Sequence, residues 1–137
     1  MKNIKIPILI SKINKFQRKY FEESIKSFDI DSTQGLILTR IKEYGSVTSK
    51  ELVSLGVVEK PAVSKNIKKL EKLGYIIKRE SEKDARSFSI ELSPSGEEIT
   101  DKIKILVDNV DSLFKKFLSD TTLKEMQNLL EHLEKKV

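Results

Sequence analysis

The 137-residue sequence predicts a mainly α chain with one small β-hairpin. Apolar residues recur at spacings of three and four through most of its length, the period of helices with one buried side. One stretch breaks that period. Residues 87–93, SFSIELS, alternate strictly, with Phe88, Ile90 and Leu92 on one side and Ser87, Ser89 and Glu91 on the other, as in a half-buried strand. Glycines, prolines and capping pairs divide the helical remainder into separate segments.

The first helix is read from the stripe Leu9, Ile13, Phe16, Tyr20, Phe21, Ile25 and Phe28 within residues 8–28. Asp31 with Gln34 three places on has the form of a capping box and opens a second helix through Leu36, Leu38, Ile41 and Tyr44, closed near Gly45. Thr48 with Glu51 is a second box, starting a short third helix with Leu52 and Leu55. Pro61 suits the first turn of a fourth helix, where its missing N–H costs little, and Gly74 supplies the left-handed residue that ends it. YIIKRE (75–80) and SFSIELS then form the hairpin around the charged loop SEKDAR (81–86). Ser93-Pro94 caps a long helix carrying Ile99, Ile103, Leu106, Val110 and Phe114, and a Thr122/Glu125 box opens a last helix with Leu123, Met126, Leu130 and Leu133. Three short central helices followed by a hairpin make a winged helix-turn-helix over residues 31–93, flanked by an N-terminal helix in 1–30 and C-terminal helices in 94–137.

Composition narrows the function. With 38% hydrophobic and 34% charged residues the chain can bury one modest core, and no run approaches the roughly 18 apolar residues of a membrane span. The N-terminal apolar stretch is too short and too soon interrupted for a secretory signal, so a cytoplasmic protein is expected. The absence of cysteine removes disulfides, thiolate metal sites and thiol redox chemistry. No phosphate-binding glycine loop, nucleophile motif or metal-ligand spacing is present, and the one histidine, His132, stands among leucines of the last helix. No enzyme, metal or cofactor is expected.

The net charge of +5 is unevenly placed. Residues 60–79 hold seven Lys or Arg against the single acid Glu71, while the rest of the chain sums to near neutrality. On a helix starting at Pro61, Val63, Ile67 and Leu70 fall within about 60° of one another, and Pro61, Lys65, Lys68, Lys69 and Lys72 gather on the opposite side. A helix of this kind fits the major groove of double-stranded DNA, its N-terminal part at base edges and its lysines on phosphates. Ser64 and Lys65 are the expected contacts at or near bases, with Ala62 available to a thymine methyl. Lys68, Lys69 and Lys72 are expected to grip phosphates. Arg86 at the loop tip is suited to a minor groove, with Asp84 placed to orient its guanidinium. A solvated lysine face is the plainer interpretation of such a helix, and the adjoining hairpin is what favours DNA.

Residues 51–99 resemble the core of the MarR (multiple antibiotic resistance regulator) family. The matching features are Glu51-Leu52, the reading-helix Val63-Ser64-Lys65, Leu70-Glu71 with Gly74, the wing's Asp84-Ala85-Arg86, and Leu92-Ser93 with Gly96. The chain departs from the family pattern in having Lys65 for a common arginine, Ala62 for a threonine or serine, and Val57 for a turn glycine. The resemblance implies a homodimer formed by the terminal helices, whose apolar stripes would otherwise be left wet, and a dimeric repressor on a pseudo-palindromic operator. It also implies a small-molecule effector between dimerisation helices and winged domain, for which Phe16, Tyr20, Ile37, Ile41 and Phe88 are the candidates. A winged-helix adaptor that binds protein and not DNA is the rival reading.

Overall fold

Side-chain caps or an early proline mark where the helices of this chain begin. In the computed structural model, which describes residues 3–80 and 88–136, the elements are α1 (Ile6–Ile25), a 3-10 turn (Lys26–Phe28), α2 (Ser32–Tyr44), α3 (Ser49–Ser54), α4 (Lys60–Lys72), β1 (Ile76–Glu80), β2 (Phe88–Leu92), α5 (Pro94–Lys115) and α6 (Asp120–Lys136). The Asp31/Gln34 box is complete, with the Asp31 carboxylate accepting from the Gln34 N–H and the Gln34 side chain from the Asp31 N–H, both at 2.9 Å. At α3 only half of the box forms. The Thr48 hydroxyl accepts from the Glu51 N–H at 3.1 Å and donates to the Glu51 carboxylate, so that carboxylate does not reach the backbone.

Two expected boundaries move. Helix α1 ends at Ile25, short of Phe28, because the chain tightens into the 3-10 turn and reverses at Asp29, whose φ of 64° lies in the left-handed region. Helix α6 is capped by Ser119, whose hydroxyl accepts the Thr122 N–H at 3.1 Å, three residues ahead of the cap read from sequence. A serine and a threonine three apart offer competing caps, and the earlier one adds a turn.

The chain divides into two compact units, Met1–Leu106 and Val107–Val137. In the first, Ile37, Leu38 and Ile41 of α2, Leu52 of α3, Ile67 and Leu70 of α4, and Ile76 and Ile90 of the hairpin form one buried cluster with Ile103 of α5. The strands pair antiparallel with Ile76 opposite Leu92 and Glu80 opposite Phe88. Val47 adds a third rung, exchanging two backbone hydrogen bonds with Ile90 at 3.0 and 2.7 Å, which ties the start of the helix-turn-helix to the hairpin. The expected alternation holds only in part. Ile90 is fully enclosed and Leu92 half-buried, but Phe88 is 48% exposed, so the strand leaves the core towards its loop end.

The junction of α4, the hairpin and α5 is built from backbone. Gly74 closes α4 with a φ of 80°, and its carbonyl accepts from the hydroxyls of both Ser93 and Ser95. The Ser93 N–H donates to the Tyr75 carbonyl at 3.0 Å, while the Ser93 hydroxyl accepts the Gly96 N–H at 3.0 Å and so caps α5. A Cβ at Gly96 would lie 1.9 Å from the Tyr75 oxygen, a backbone atom that cannot swing away. That approach is why the segment entering α5 needs glycine three places after its serine. Lys42 of α2 pairs with Glu97 in the first turn of α5, and the hydrogen bond its ammonium donates to that carboxylate raises its pKa.

In the second unit α6 carries exposed Met126, Leu129, Leu130 and Leu133, and the end of α5 carries exposed Leu113, with Phe117 just beyond it at 81% exposure. Gly96→Ala is expected to lower folding stability by about 1–3 kcal/mol, as overpacking against fixed backbone does. Urea unfolding measures it, and an unchanged midpoint would show that the junction yields.

Candidate nucleic-acid interface

The turn that presents α4 is held by its own backbone. At the end of α3 the Leu55 N–H bonds the Glu51 carbonyl at 2.9 Å, the Gly56 N–H bonds Val53 at 3.0 Å, and the Val57 N–H bonds Leu52 at 3.1 Å. Gly56 takes the left-handed conformation, φ 72°, and Val57 and Val58 are buried in the core. The left-handed residue of the turn is therefore Gly56, which leaves Val57 free to serve as an apolar anchor. Glu59 is extended and makes no side-chain cap, and Pro61 stands in the first turn of α4.

Helix α4 separates its two sides as its periodicity demands. Ile67 and Leu70 are buried, whereas Pro61, Ser64, Lys65, Lys68, Lys69 and Lys72 are all exposed. Ala62 differs from expectation: it is half-buried and packs against the core cluster, so much of its methyl is already engaged by the protein. Among the described residues Lys65, Lys68, Lys69 and Lys72 have no ion pair. The other cations of the basic segment are partly spoken for. Lys78 lies 3.8 Å from Glu71 and 5.8 Å from the centre of the Phe88 ring, and Arg79 bonds Glu91 at 3.0 Å. Within residues 60–79, and among the described residues, the free positive charge thus lies on α4 and not on β1. Asp84 and Arg86 lie outside the described residues.

A polar link unseen in the sequence sets α4 against α2. The Gln34 amide donates to the Asn66 side-chain oxygen at 3.0 Å, and the Asn66 amide donates to the Ala62 carbonyl at 3.0 Å. Gln34, 5% exposed, also completes the cap of α2, so three hydrogen bonds hold it. Both residues stand on the apolar side of their helices, and that was the available signal: a buried amide requires a partner.

The five effector candidates differ in their surroundings. Ile37 and Ile41 have no exposed surface and belong to the core, whereas Phe16 and Phe88 are about half exposed. Tyr20 packs edge-to-face on Phe21, with ring centres 5.9 Å apart. Two shallow depressions, of about 350 and 360 Å³, are lined by Ile30 and by polar residues of α1, the α1–α2 turn and Lys69, and include none of the five.

The profile of the MarR family matches residues 30–88. An HTH-type transcriptional regulator of Bacillus subtilis, YwoH, is 32% identical over 100 residues, which span 71% of this chain and 72% of the relative. The regulator BilQ of Clostridioides difficile is 27% identical over 118 residues, 86% of this chain and 80% of its own. The structure of the S. aureus MepR–DNA complex superimposes with a TM-score of 0.86 at 21% identity, over 98% of this chain and all of that one, so the fold is shared.

Gln34→Ala and Asn66→Ala are each expected to cost about 1–3 kcal/mol, because each leaves a buried polar group unpaired. A double-mutant cycle read by urea unfolding is expected to return a coupling above about 0.5 kcal/mol. Strict additivity would mean the link contributes nothing.

Proposed function

The chain belongs to the MarR family of transcriptional regulators, and from that premise we propose that it is a dimeric repressor that reads a pseudo-palindromic operator with α4. The observation that carries this reading is the exposed cationic side of α4, without an ion pair among the described residues for Lys65, Lys68, Lys69 and Lys72, set opposite Ile67 and Leu70. Such a face neutralises phosphates and releases their counterions, while Ser64 and Lys65 near the helix start are placed for base edges. Lys68, Lys69 and Lys72 serve the backbone, and Arg86 with Asp84 serves the minor groove from the wing. Two solved relatives are complexes with DNA, one of them with operator DNA, which supports the same partner here.

Dimerisation is supported by apolar surface in each unit taken separately. In α1, Ile6, Ile10 and Phe16 are each more than half exposed, and Phe117, Met126, Leu130 and Leu133 are so in the second unit. At roughly 25 cal/mol per Å² of apolar surface, leaving these wet costs many kcal/mol. A second copy covers them and brings two α4 helices to half-sites about 34–36 Å apart. An effector would act by changing that separation, and since Ile37 and Ile41 are closed into the core, it would have to enter elsewhere or open that packing. Work of this kind takes place in the cytoplasm, and among the described residues no helix is long and apolar enough to cross a membrane.

Lys68→Gln is expected to weaken binding to every duplex alike and to lower the slope of log affinity against log salt by about 0.9. Arg86→Ala is expected to weaken binding as well. Binding indifferent to both changes and to salt would favour the protein-binding adaptor. Sedimentation at micromolar concentration is expected to give a dimer, and a stable monomer would overturn that part of the reading.

A further inference from the structure

The near-neutral remainder of the chain conceals a second basic segment. Residues 2–19 contain Lys2, Lys5, Lys12, Lys15, Arg18 and Lys19 and no acid at all, a charge of +6 equal to that of residues 60–79. The rest of the protein is correspondingly acidic. Helix α1 holds these cations against its own interest: it has no acidic residue in its first turn, and Lys12/Lys15, Lys15/Arg18 and Lys15/Lys19 are like charges three or four residues apart. Among the described residues only Arg18 of this set is paired, with Glu22 at 3.8 Å.

The placement of these lysines matters as much as their number. At 100° per residue Lys12, Lys15 and Lys19 lie within about 60° of one another and 100° or more from Ile6, Ile10 and Ile13, with Phe16 beside Lys12 at the edge of the group and exposed Ile8 among them. All three are exposed, and a partner that covered Ile6, Ile10 and Ile13 would leave Lys15 and Lys19 in solvent. They are also continuous with the reading helix. Lys69 of α4 and Lys26 line one surface depression with Glu22, and Glu22 lines the next one with Lys15, Arg18 and Lys19. Of the carboxylates at that crossing, Asp31 caps α2 and Glu22 pairs with Arg18, leaving Asp29.

We infer that Lys12, Lys15, Lys19 and Lys26 form a second phosphate-binding surface, continuous with Lys69, that grips duplex DNA beyond the bases read by α4. The inference rests on the DNA-binding reading above and assigns α1 a share in it. A helix of 20 residues is about 30 Å long, enough to follow several successive phosphates of one strand. The contact carries affinity and salt dependence without sequence preference. An anionic membrane is the less suitable partner, because a helix lying on lipid would have to bury Ile6, Ile10 and Ile13 on the side away from these lysines while Lys69 and α4 stayed in place beside them.

The test uses the full chain and a 40-base-pair duplex of random sequence, with affinity measured by fluorescence anisotropy across a salt series. The triple variant Lys12→Gln/Lys15→Gln/Lys19→Gln is expected to remain folded by circular dichroism and to bind with a salt slope shallower by roughly two to three per chain. The variant Lys65→Gln/Lys68→Gln/Lys72→Gln serves as the comparison for the reading helix. A triple α1 variant with the wild-type slope, alongside a reading-helix variant that loses binding, would overturn the α1 surface and leave the proposed function standing. Loss of binding to phosphatidylglycerol vesicles with no change on DNA would overturn it in favour of a membrane. Failure of the wild-type chain to bind duplex at any salt would remove both readings together.

Discussion

The cationic face of this molecule depends on the burial of Ile67 and Leu70 beneath α4. A helix has one rotation about its axis at which those two side chains meet α2, α3 and the hairpin, and at that rotation Lys65, Lys68 and Lys72 must face water. The hydrophobic contact therefore aims the charges. The Gln34–Asn66 bond refines what apolar packing leaves loose, since hydrocarbon contacts are non-directional and tolerate small rotations, whereas an amide pair fixes register between two helices.

The second constraint is the approach of two backbones at Gly74, Tyr75 and Gly96. Two serine hydroxyls converge on the Gly74 carbonyl, and the absence of a side chain at residue 96 admits the Tyr75 carbonyl. The end of the reading helix, the root of the hairpin and the start of α5 are consequently one rigid joint. A shift at the start of α5 would therefore be felt at the end of α4 without passing through flexible side chains.

Charge in this protein is distributed by sign more than by amount. The cations of β1 are matched, Lys78 by Glu71 of α4 and Arg79 by Glu91 of β2, while among the described residues the lysines of α4 and of α1 make no ion pair and only Arg18 of α1 does. Surface pairs of that kind add little stability, but they decide where positive potential remains. A count along the sequence cannot tell a lysine committed to a neighbouring carboxylate from a free one, because the partner stands on another strand or helix.

Periodicity alone was enough to locate the helices, the hairpin, the two sides of α4 and the capping residues Asp31, Thr48 and Ser93, because each of these is a local matter of spacing and of one side chain reaching its own backbone. Local signals failed where two answers were locally acceptable, as with the Ser119 and Thr122 caps and the reversal at Asp29. Only the tertiary structure decided that Ala62 and Val57 serve the core, that Ile37 and Ile41 are sealed within it, that Gln34 finds Asn66, and that Lys26 and Lys69 adjoin one another. Those facts join residues 32 or more positions apart, or depend on what finally covers a side chain, and the chain's own spacing holds no record of either until it has folded.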